Sequence, residues 1–193
     1  MLTGMTVPEQ PATRVVGRYE DSARTPNKGN TPMSMIGYFL QITPAQLRSL
    51  IDDPSTIESL IYPKDEEAAN TIDIDKAWHG IHFMLTGDVW GGDAPACNVV
   101  LGGTEIGNDV GNGPARYLDA DEARAVAEAL RTLPREKFAK KFDAAEMSDK
   151  DIYPEIWDEG DDALDYLLSW YEKLRAYYLD AASKGNAMIK YLA

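Results

Sequence analysis

One amphipathic stretch constrains the fold of this chain more than any other feature. Its apolar side chains recur at a period of about 3.6 residues, which is that of an α-helix. The positions are Leu164, Leu167, Leu168, Tyr171, Leu174, Tyr178 and Ala181. The pattern predicts a helix with one buried face, and Gly185 is placed to end it in the left-handed conformation. Such a helix needs a second layer to pack against, so the rest of the chain must supply a sheet or further helices.

Strands and helices are predicted to alternate through the rest of the domain. Short apolar runs predict strands at residues 35–42, 97–101 and 187–192. Residues that favour the first position of a helix predict helix starts at Thr43, Asp53, Asp75 and Asp119. This order predicts an α+β fold, with a mixed β-sheet flanked by helices in a three-layer-like single domain over residues 35–193.

Residues 1–34 are predicted to form a disordered N-terminal extension. They contain four prolines and no periodic apolar pattern, so they bury too little apolar area to offset the entropy of ordering. They also lack the apolar run of about 7–15 residues that a secretory signal contains. The single cysteine, Cys97, suits a reducing compartment, and these features together favour a cytoplasmic location.

The charge balance excludes one class of partner. The 193 residues include 32 acidic and 19 basic side chains, for a formal net charge of −13. A protein that binds the phosphate backbone needs clustered Lys and Arg, so no nucleic-acid partner is expected. No run of about 18 apolar residues occurs, so no membrane partner is expected either. The expected partner is a small molecule or a protein, and the oligomeric state stays open.

Both histidines of the chain lie in one polar and aromatic stretch. At positions i and i+3 of a helix, His79 and His82 are neighbours, and Asp75 or Asp88 could join them. Two imidazoles and a carboxylate would suit an open metal site that activates a water molecule. The favoured alternative is that Asp75 caps the helix, Trp78 packs and His82 hydrogen-bonds in the core. Because the sequence offers no third strong ligand, no metal is expected, and cofactors stay open.

Seven glycines between residues 91 and 113 mark the second unusual segment. It lacks both the Gly-Lys-Ser/Thr element of a phosphate loop and the spacing of a dinucleotide-binding turn. Glu105, Asp109 and Arg116 are charged residues on or next to this loop. One interpretation is a functional loop, and the favoured one is a set of tight turns in which Arg116 pairs with one of the acids.

An aromatic and carboxylate cluster precedes the long helix. Glu155 and Asp158 are paired carboxylates of the kind that serve as acid and base in glycoside cleavage. Tyr153 and Trp157 suit either a hydrophobic plug or the wall of a pocket. Because this region is acidic throughout, a solvated charged surface is the simpler interpretation of its carboxylates.

Several of these segments resemble the YfbM-like family of bacterial proteins, which is labelled a domain of unknown function. The matching segments are residues 35–38, 73–82, 101–103, 113–117 and 153–157. The resemblance extends over residues 35–193 and implies a cytosolic domain with a mixed sheet between helices. The polar and aromatic residues that recur in this family match the present sequence at Asp73, Asp75, Trp78, His79, His82, Trp90, Arg116, Tyr117, Glu155 and Trp157. It implies no activity, because fold alone does not give one.

The leading functional hypothesis is a non-catalytic binding module with a polar, aromatic-lined cleft for a small or anionic ligand. The cleft would be formed by the His79 helix, the Arg116 loop and the Trp157 turn, with Arg116 holding an anionic group. The candidate ligand-binding residues are Asp75, Trp78, His79, His82, Trp90, Arg116, Tyr117, Glu155 and Trp157.

Two alternatives belong to other classes, so whether the protein is an enzyme stays open. The first is a hydrolase, dependent on a metal or on a His/carboxylate pair, with His79 or His82 as the base. The second is an acidic, immunity-type partner protein that masks a basic toxin, with its charge steering the association.

Overall fold

One five-stranded sheet organises residues 34–63 and 70–193, which are the residues that the computed structural model describes. The predicted N-terminal extension, residues 1–34, lies outside them except for Ser34. The strands are Gly37–Ile42 (β1), Thr71–Asp73 (β2), Thr104–Asp109 (β3), Pro114–Leu118 (β4) and Ala187–Leu192 (β5). Their order across the sheet is β2-β1-β5-β4-β3, so the strand that comes last in sequence lies in the middle.

Seven α-helices lie within the described residues. They are Pro44–Asp52 (α1), Ile57–Ile61 (α2), Trp78–Thr86 (α3), Ala120–Arg131 (α4), Arg135–Ala139 (α5), Ala144–Asp149 (α6) and Asp161–Lys184 (α7). None of the helices in this part of the chain is both long enough and apolar enough to cross a membrane.

Local hydrogen bonds start α1 and α4 and end α7 as the sequence predicts. The predicted cap at Asp75 is wrong, because α3 begins at Trp78 and no side chain of the described residues caps it. Thr43 and Gln46 form a reciprocal capping box at the start of α1, and Asp119 and Glu122 form another at the start of α4. The long helix α7 ends at Gly185, which has the left-handed conformation with φ of 67°. These features depend on residues a few positions apart, which is why they can be read from the sequence.

The two faces of the sheet carry different helices. Along β5, Ala187, Ile189 and Tyr191 point to one face, where they pack with buried side chains of α1 and α2. Met188 points to the other face and packs with buried side chains of α3, α4 and α7. Helices therefore cover both faces, and the α+β fold is confirmed.

Two details of the predicted fold are corrected. The sheet is antiparallel throughout rather than mixed, because every neighbouring pair of strands runs in opposite directions. The run at 97–101 is not a strand: it contains the 3₁₀ turn Cys97–Val99, and the Gly102 amide folds back to the Cys97 carbonyl. A short apolar run does not distinguish a strand from a buried turn. The glycine-rich segment beyond it instead forms the hairpin of β3 and β4.

Candidate functional site

A cavity of about 280 Å³ lies where β1 begins, β4 begins and β5 ends. On the sheet side it is lined by Gly37, Phe39, Pro114, Arg116, Lys190 and Leu192. The strand pairing aligns Gly37 with Leu192 and aligns Lys190 with both Phe39 and Arg116. The segment opposite contributes Trp90, Val100 and Leu101. We call this space the Arg116–Lys190 cavity, after the two cationic side chains in its lining.

Lys190 is the most unusual residue of this cavity. It is only 3% exposed, and its Nζ donates hydrogen bonds to the backbone carbonyls of Asn98 at 2.5 Å and Gly102 at 2.7 Å. No carboxylate pairs with it among the described residues. Burial, and next the neighbouring Arg116 guanidinium, lower the pKa of Lys190 to about 7.

The sequence-predicted site residues do not include Lys190. Residues 187–192 are recognised as an apolar strand, and a lysine within such a run is a signal that a charge is being buried. Its partners lie on a turn about 90 positions earlier in the chain. Only the tertiary structure therefore identifies the site around it.

Gly102 and Gly103 present their carbonyls to the two cations of the cavity. Gly102 accepts from Lys190, and Gly103 accepts from Arg116 at 3.0 Å. A Cβ atom at Gly102 would lie 2.3 Å from Oδ1 of Asn98, and one at Gly103 would lie 2.6 Å from the Tyr117 carbonyl oxygen. The backbone can approach the turn at Asn98 and the strand β4 this closely only because neither residue has a side chain.

Arg116 supplies the permanent positive charge. Its guanidinium also binds the Glu105 carboxylate of the neighbouring strand at 2.5 Å. The side chains of this pair are 36% and 57% exposed, so water weakens their attraction. The predicted pairing of Arg116 with an acid of the glycine-rich segment is confirmed, and the same side chain lines the cavity.

Trp90 forms an exposed aromatic wall of the cavity. Its side chain is 64% exposed, while its ring stacks on the His79 imidazole at a centroid distance of 4.4 Å. The Asp88 carboxylate accepts hydrogen bonds from the backbone amides of Gly91 and Trp90, which holds the loop in place. These amides, Gly91 first, lower the pKa of the Asp88 carboxyl group.

His79 and Trp78 are structural residues behind this wall. The His79 Nε2–H donates to the Val89 carbonyl at 2.8 Å, and Nδ1 accepts from the Tyr153 amide at 3.1 Å. Both ring nitrogens of the neutral imidazole are therefore occupied, and burial lowers the His79 pKa. The Trp78 ring is buried beside it, with its indole N–H bonded to the Met35 carbonyl.

His82 is buried without a hydrogen bond. Neither ring nitrogen makes a well-formed hydrogen bond among the residues that the structure describes, so the predicted core hydrogen bond is wrong. Burial first, and then the nearby His79, lower the His82 pKa to about 4. The Gly91 backbone lies close enough only to oppose part of the fall in the His82 pKa. The ring is neutral at ordinary pH, and both its polar atoms are buried.

We expect His82→Leu to raise the free energy of unfolding by about 1–2 kcal/mol, because it removes two unsatisfied polar atoms at similar volume. The matched variant His79→Leu should lower it by a similar amount, because it leaves the Val89 carbonyl and the Tyr153 amide without partners. Urea unfolding of both variants at pH 7 measures this. Equal losses in the two variants would contradict the assignment of His82 as unpaired.

The structure does not gather the predicted site residues into one hollow. Trp90 and Arg116 line the cavity, whereas Trp78, His79, His82 and Trp157 are buried. The remaining three lie elsewhere: Asp75, Tyr117 and Glu155.

Each of these three has its own surroundings. The Asp75 carboxylate accepts a hydrogen bond from the Tyr166 hydroxyl of α7 at 2.9 Å. Tyr117 packs with the cluster on the opposite face of the sheet from Arg116, because neighbouring residues of a strand alternate. Glu155 is exposed on the turn before α7. The single cleft expected from the sequence is thus replaced by a cavity that two of the nine residues line.

The described residues do not form the His–carboxylate pair or the metal site that the hydrolase alternative requires. Neither ring of the two histidines bonds a carboxylate within residues 34–63 and 70–193. In the same part of the chain, no three His, Cys, Asp or Glu side chains are grouped to hold a metal ion. The cationic pair at the cavity is suited to holding an anion instead.

Comparisons with known proteins agree on one family. The family model described as a domain of unknown function (DUF1877) matches residues 33–191. Protein YfbM of Escherichia coli strain K12 is 29% identical over 129 residues, which are 64% of this chain and 75% of the relative. A crystal structure titled as a protein of unknown function, YfbM from Escherichia coli, matches with a TM-score of 0.66 and 23% identity. This structural match covers 82% of this chain and 99% of the YfbM chain, and it supports the fold.

Proposed function

This chain belongs to the DUF1877 family, a domain of unknown function, and from that premise we propose that it is a non-catalytic, cytosolic module that binds a small organic anion in the Arg116–Lys190 cavity. The observation that carries the proposal is the placing of an arginine guanidinium and a buried lysine amine in one cavity of a chain whose formal charge is −13. A cavity with a few convergent polar groups is the default place for a ligand.

The electrostatics of the cavity favour an anion. The planar guanidinium group of Arg116 suits a carboxylate or a phosphate. Its partner Glu105 is largely exposed, so exchanging it for a ligand carboxylate costs little. An anion in the cavity would also favour the protonated form of Lys190, which has no carboxylate of its own among the described residues.

The remaining lining favours an apolar body on the ligand. Phe39, Val100, Leu101 and Leu192 surround the cations, and the exposed Trp90 ring offers a flat face at the edge. The cavity of about 280 Å³ falls just below the usual range for drug-sized ligands. A small aromatic or aliphatic carboxylate therefore fits the chemistry and the size.

We expect Arg116→Met to weaken the binding of benzoate about tenfold, because the ligand loses its charge-assisted hydrogen bonds while the apolar lining stays. Isothermal titration calorimetry of benzoate against both proteins measures this effect. The matched control is Arg124→Met, because Arg124 is an exposed arginine of α4 that pairs with Asp121 and does not line the cavity.

Unchanged benzoate affinity in Arg116→Met would contradict the proposed function. An equal loss in Arg124→Met would also contradict it, since the effect would then follow net charge rather than the cavity. Circular dichroism of each variant checks that the fold is kept.

A further inference from the structure

The Lys190 amine is arranged as a neutral amine would be. An ammonium group carries three N–H donors, whereas a neutral amine carries two N–H donors and one lone pair. The described residues supply two acceptors, the carbonyls of Asn98 and Gly102, and no carboxylate. In the neutral form both N–H groups are therefore satisfied and the lone pair is left over, on a side chain that lines the cavity.

We propose that Lys190 captures a carbonyl-bearing organic anion as a reversible imine, with the anionic group held by Arg116. This inference rests on the proposed function, because it takes the same cavity and adds a covalent bond to the ligand. The substrate class is an aldehyde or ketone that carries a carboxylate or phosphate. Such a ligand would meet Arg116 and Lys190 together, which strand pairing places side by side on β4 and β5.

The chemistry needs no partner beyond the amine and the carbonyl. The Lys190 lone pair forms a C–N bond to the carbonyl carbon, and a proton moves from nitrogen to the carbonyl oxygen, which gives a carbinolamine. Loss of that hydroxyl with the second N–H proton releases water and leaves a C=N bond. If the imine is protonated, its one N–H can still donate to one of the two backbone carbonyls. Addition of water reverses every step, so nothing is oxidised or reduced.

The surroundings of Lys190 keep more of its amine in the neutral, nucleophilic form than is the case for a surface lysine. Burial and Arg116 lower its pKa to about 7, and Cys97 and Glu122 oppose this shift without cancelling it. About half of the Lys190 side chains are therefore neutral near pH 7, against well under 1% for a lysine with an ordinary pKa. Lys184 offers the comparison within the same protein, since it is exposed and paired with Asp180 at 2.6 Å.

The test uses para-carboxybenzaldehyde as the probe, with sodium cyanoborohydride to reduce any imine to a stable amine. The full chain is treated at pH 7, digested and mapped by mass spectrometry. We expect labelling at Lys190 to be at least about tenfold faster than at Lys184.

Two comparisons separate this inference from the proposed function. An excess of para-(hydroxymethyl)benzoate, which keeps the carboxylate but has no aldehyde, should slow labelling at Lys190 and leave Lys184 unchanged. Arg116→Met should do the same. If benzoate binds by calorimetry but Lys190 is labelled no faster than Lys184, the imine is overturned and the anion site stands. If benzoate does not bind and Lys190 is still labelled fastest, the amine is reactive but the anion site is overturned, and with it this inference.

Discussion

Replacing Trp157 with alanine is expected to lower the free energy of unfolding by about 3–5 kcal/mol, the largest stability effect we predict for this protein. The Trp157 side chain is 1% exposed, and its indole N–H donates to the Ile152 carbonyl at 2.6 Å. Its ring lies against the backbone of α3, where a Cβ atom at Gly80 would come within 2.7 Å of Trp157 Cη2. Removing the indole leaves a cavity between α3 and the turn before α7, while the Ile152 carbonyl keeps its other hydrogen bond, from the Glu155 amide.

Trp90→Ala is the matched control for this variant, because it removes the same side chain at an exposed position. It loses the stacking on His79, so its cost should be no more than about 1.5 kcal/mol. Equilibrium urea unfolding of both variants at pH 7 measures the difference. Equal losses of unfolding free energy in the two variants would contradict the assignment of Trp157 to the packed core.

The second large effect is a rise in stability with pH that depends on Lys190. Its pKa is about 7 in the folded protein and near 10.4 in the unfolded chain. Between these values the unfolded state binds one more proton, so the free energy of unfolding increases with pH, by at most about 1.4 kcal/mol per pH unit. From pH 7 to pH 9 we expect a gain of about 2 kcal/mol. Below about pH 7 the folded protein carries the full cost of the buried charge.

Urea unfolding at pH 7 and pH 9 tests this, with Lys190→Met as the control. The variant loses the hydrogen bonds to Asn98 and Gly102, so its absolute stability can change, but the gain between the two pH values should disappear. A gain of equal size in Lys190→Met would assign it to another group. The comparison stops at pH 9 because Tyr171, whose pKa burial raises to about 12, lowers stability above about pH 10 as the unfolded tyrosine ionises first.

The sequence predicts the fold best where the signal is local. Thr43 and Asp119 start their helices through bonds to residues three positions ahead, and the apolar period of α7 needs no distant partner. The hairpin of β3 and β4 has a weaker signal, since Ile106 is the only buried residue of the edge strand β3. A strand that is mostly exposed on both sides lacks the alternation that identifies strands.

The candidate site is harder to predict because its parts come from distant segments. Trp90 and Arg116 are among the residues predicted from the sequence, and the structure places both at the cavity. Lys190 is not among them. Its role at the cavity depends on hydrogen bonds to the carbonyls of a turn, and the sequence pattern predicts a strand where that turn lies. His79 shows the opposite case, since its chemistry suits a site while its two nitrogens serve the backbone.

The central position of β5 has a consequence for how the chain is made. In the middle of the sheet it pairs with β1 on one side and β4 on the other, and Asn186 just before it bonds to Gln41, 145 positions earlier. Until residues 187–192 have been synthesised, β1 and β4 each lack the partner strand that lies between them in the folded sheet. Contacts that span so much sequence form slowly. The nascent chain therefore passes through a stage in which two open strand edges are available to chaperones or to other chains.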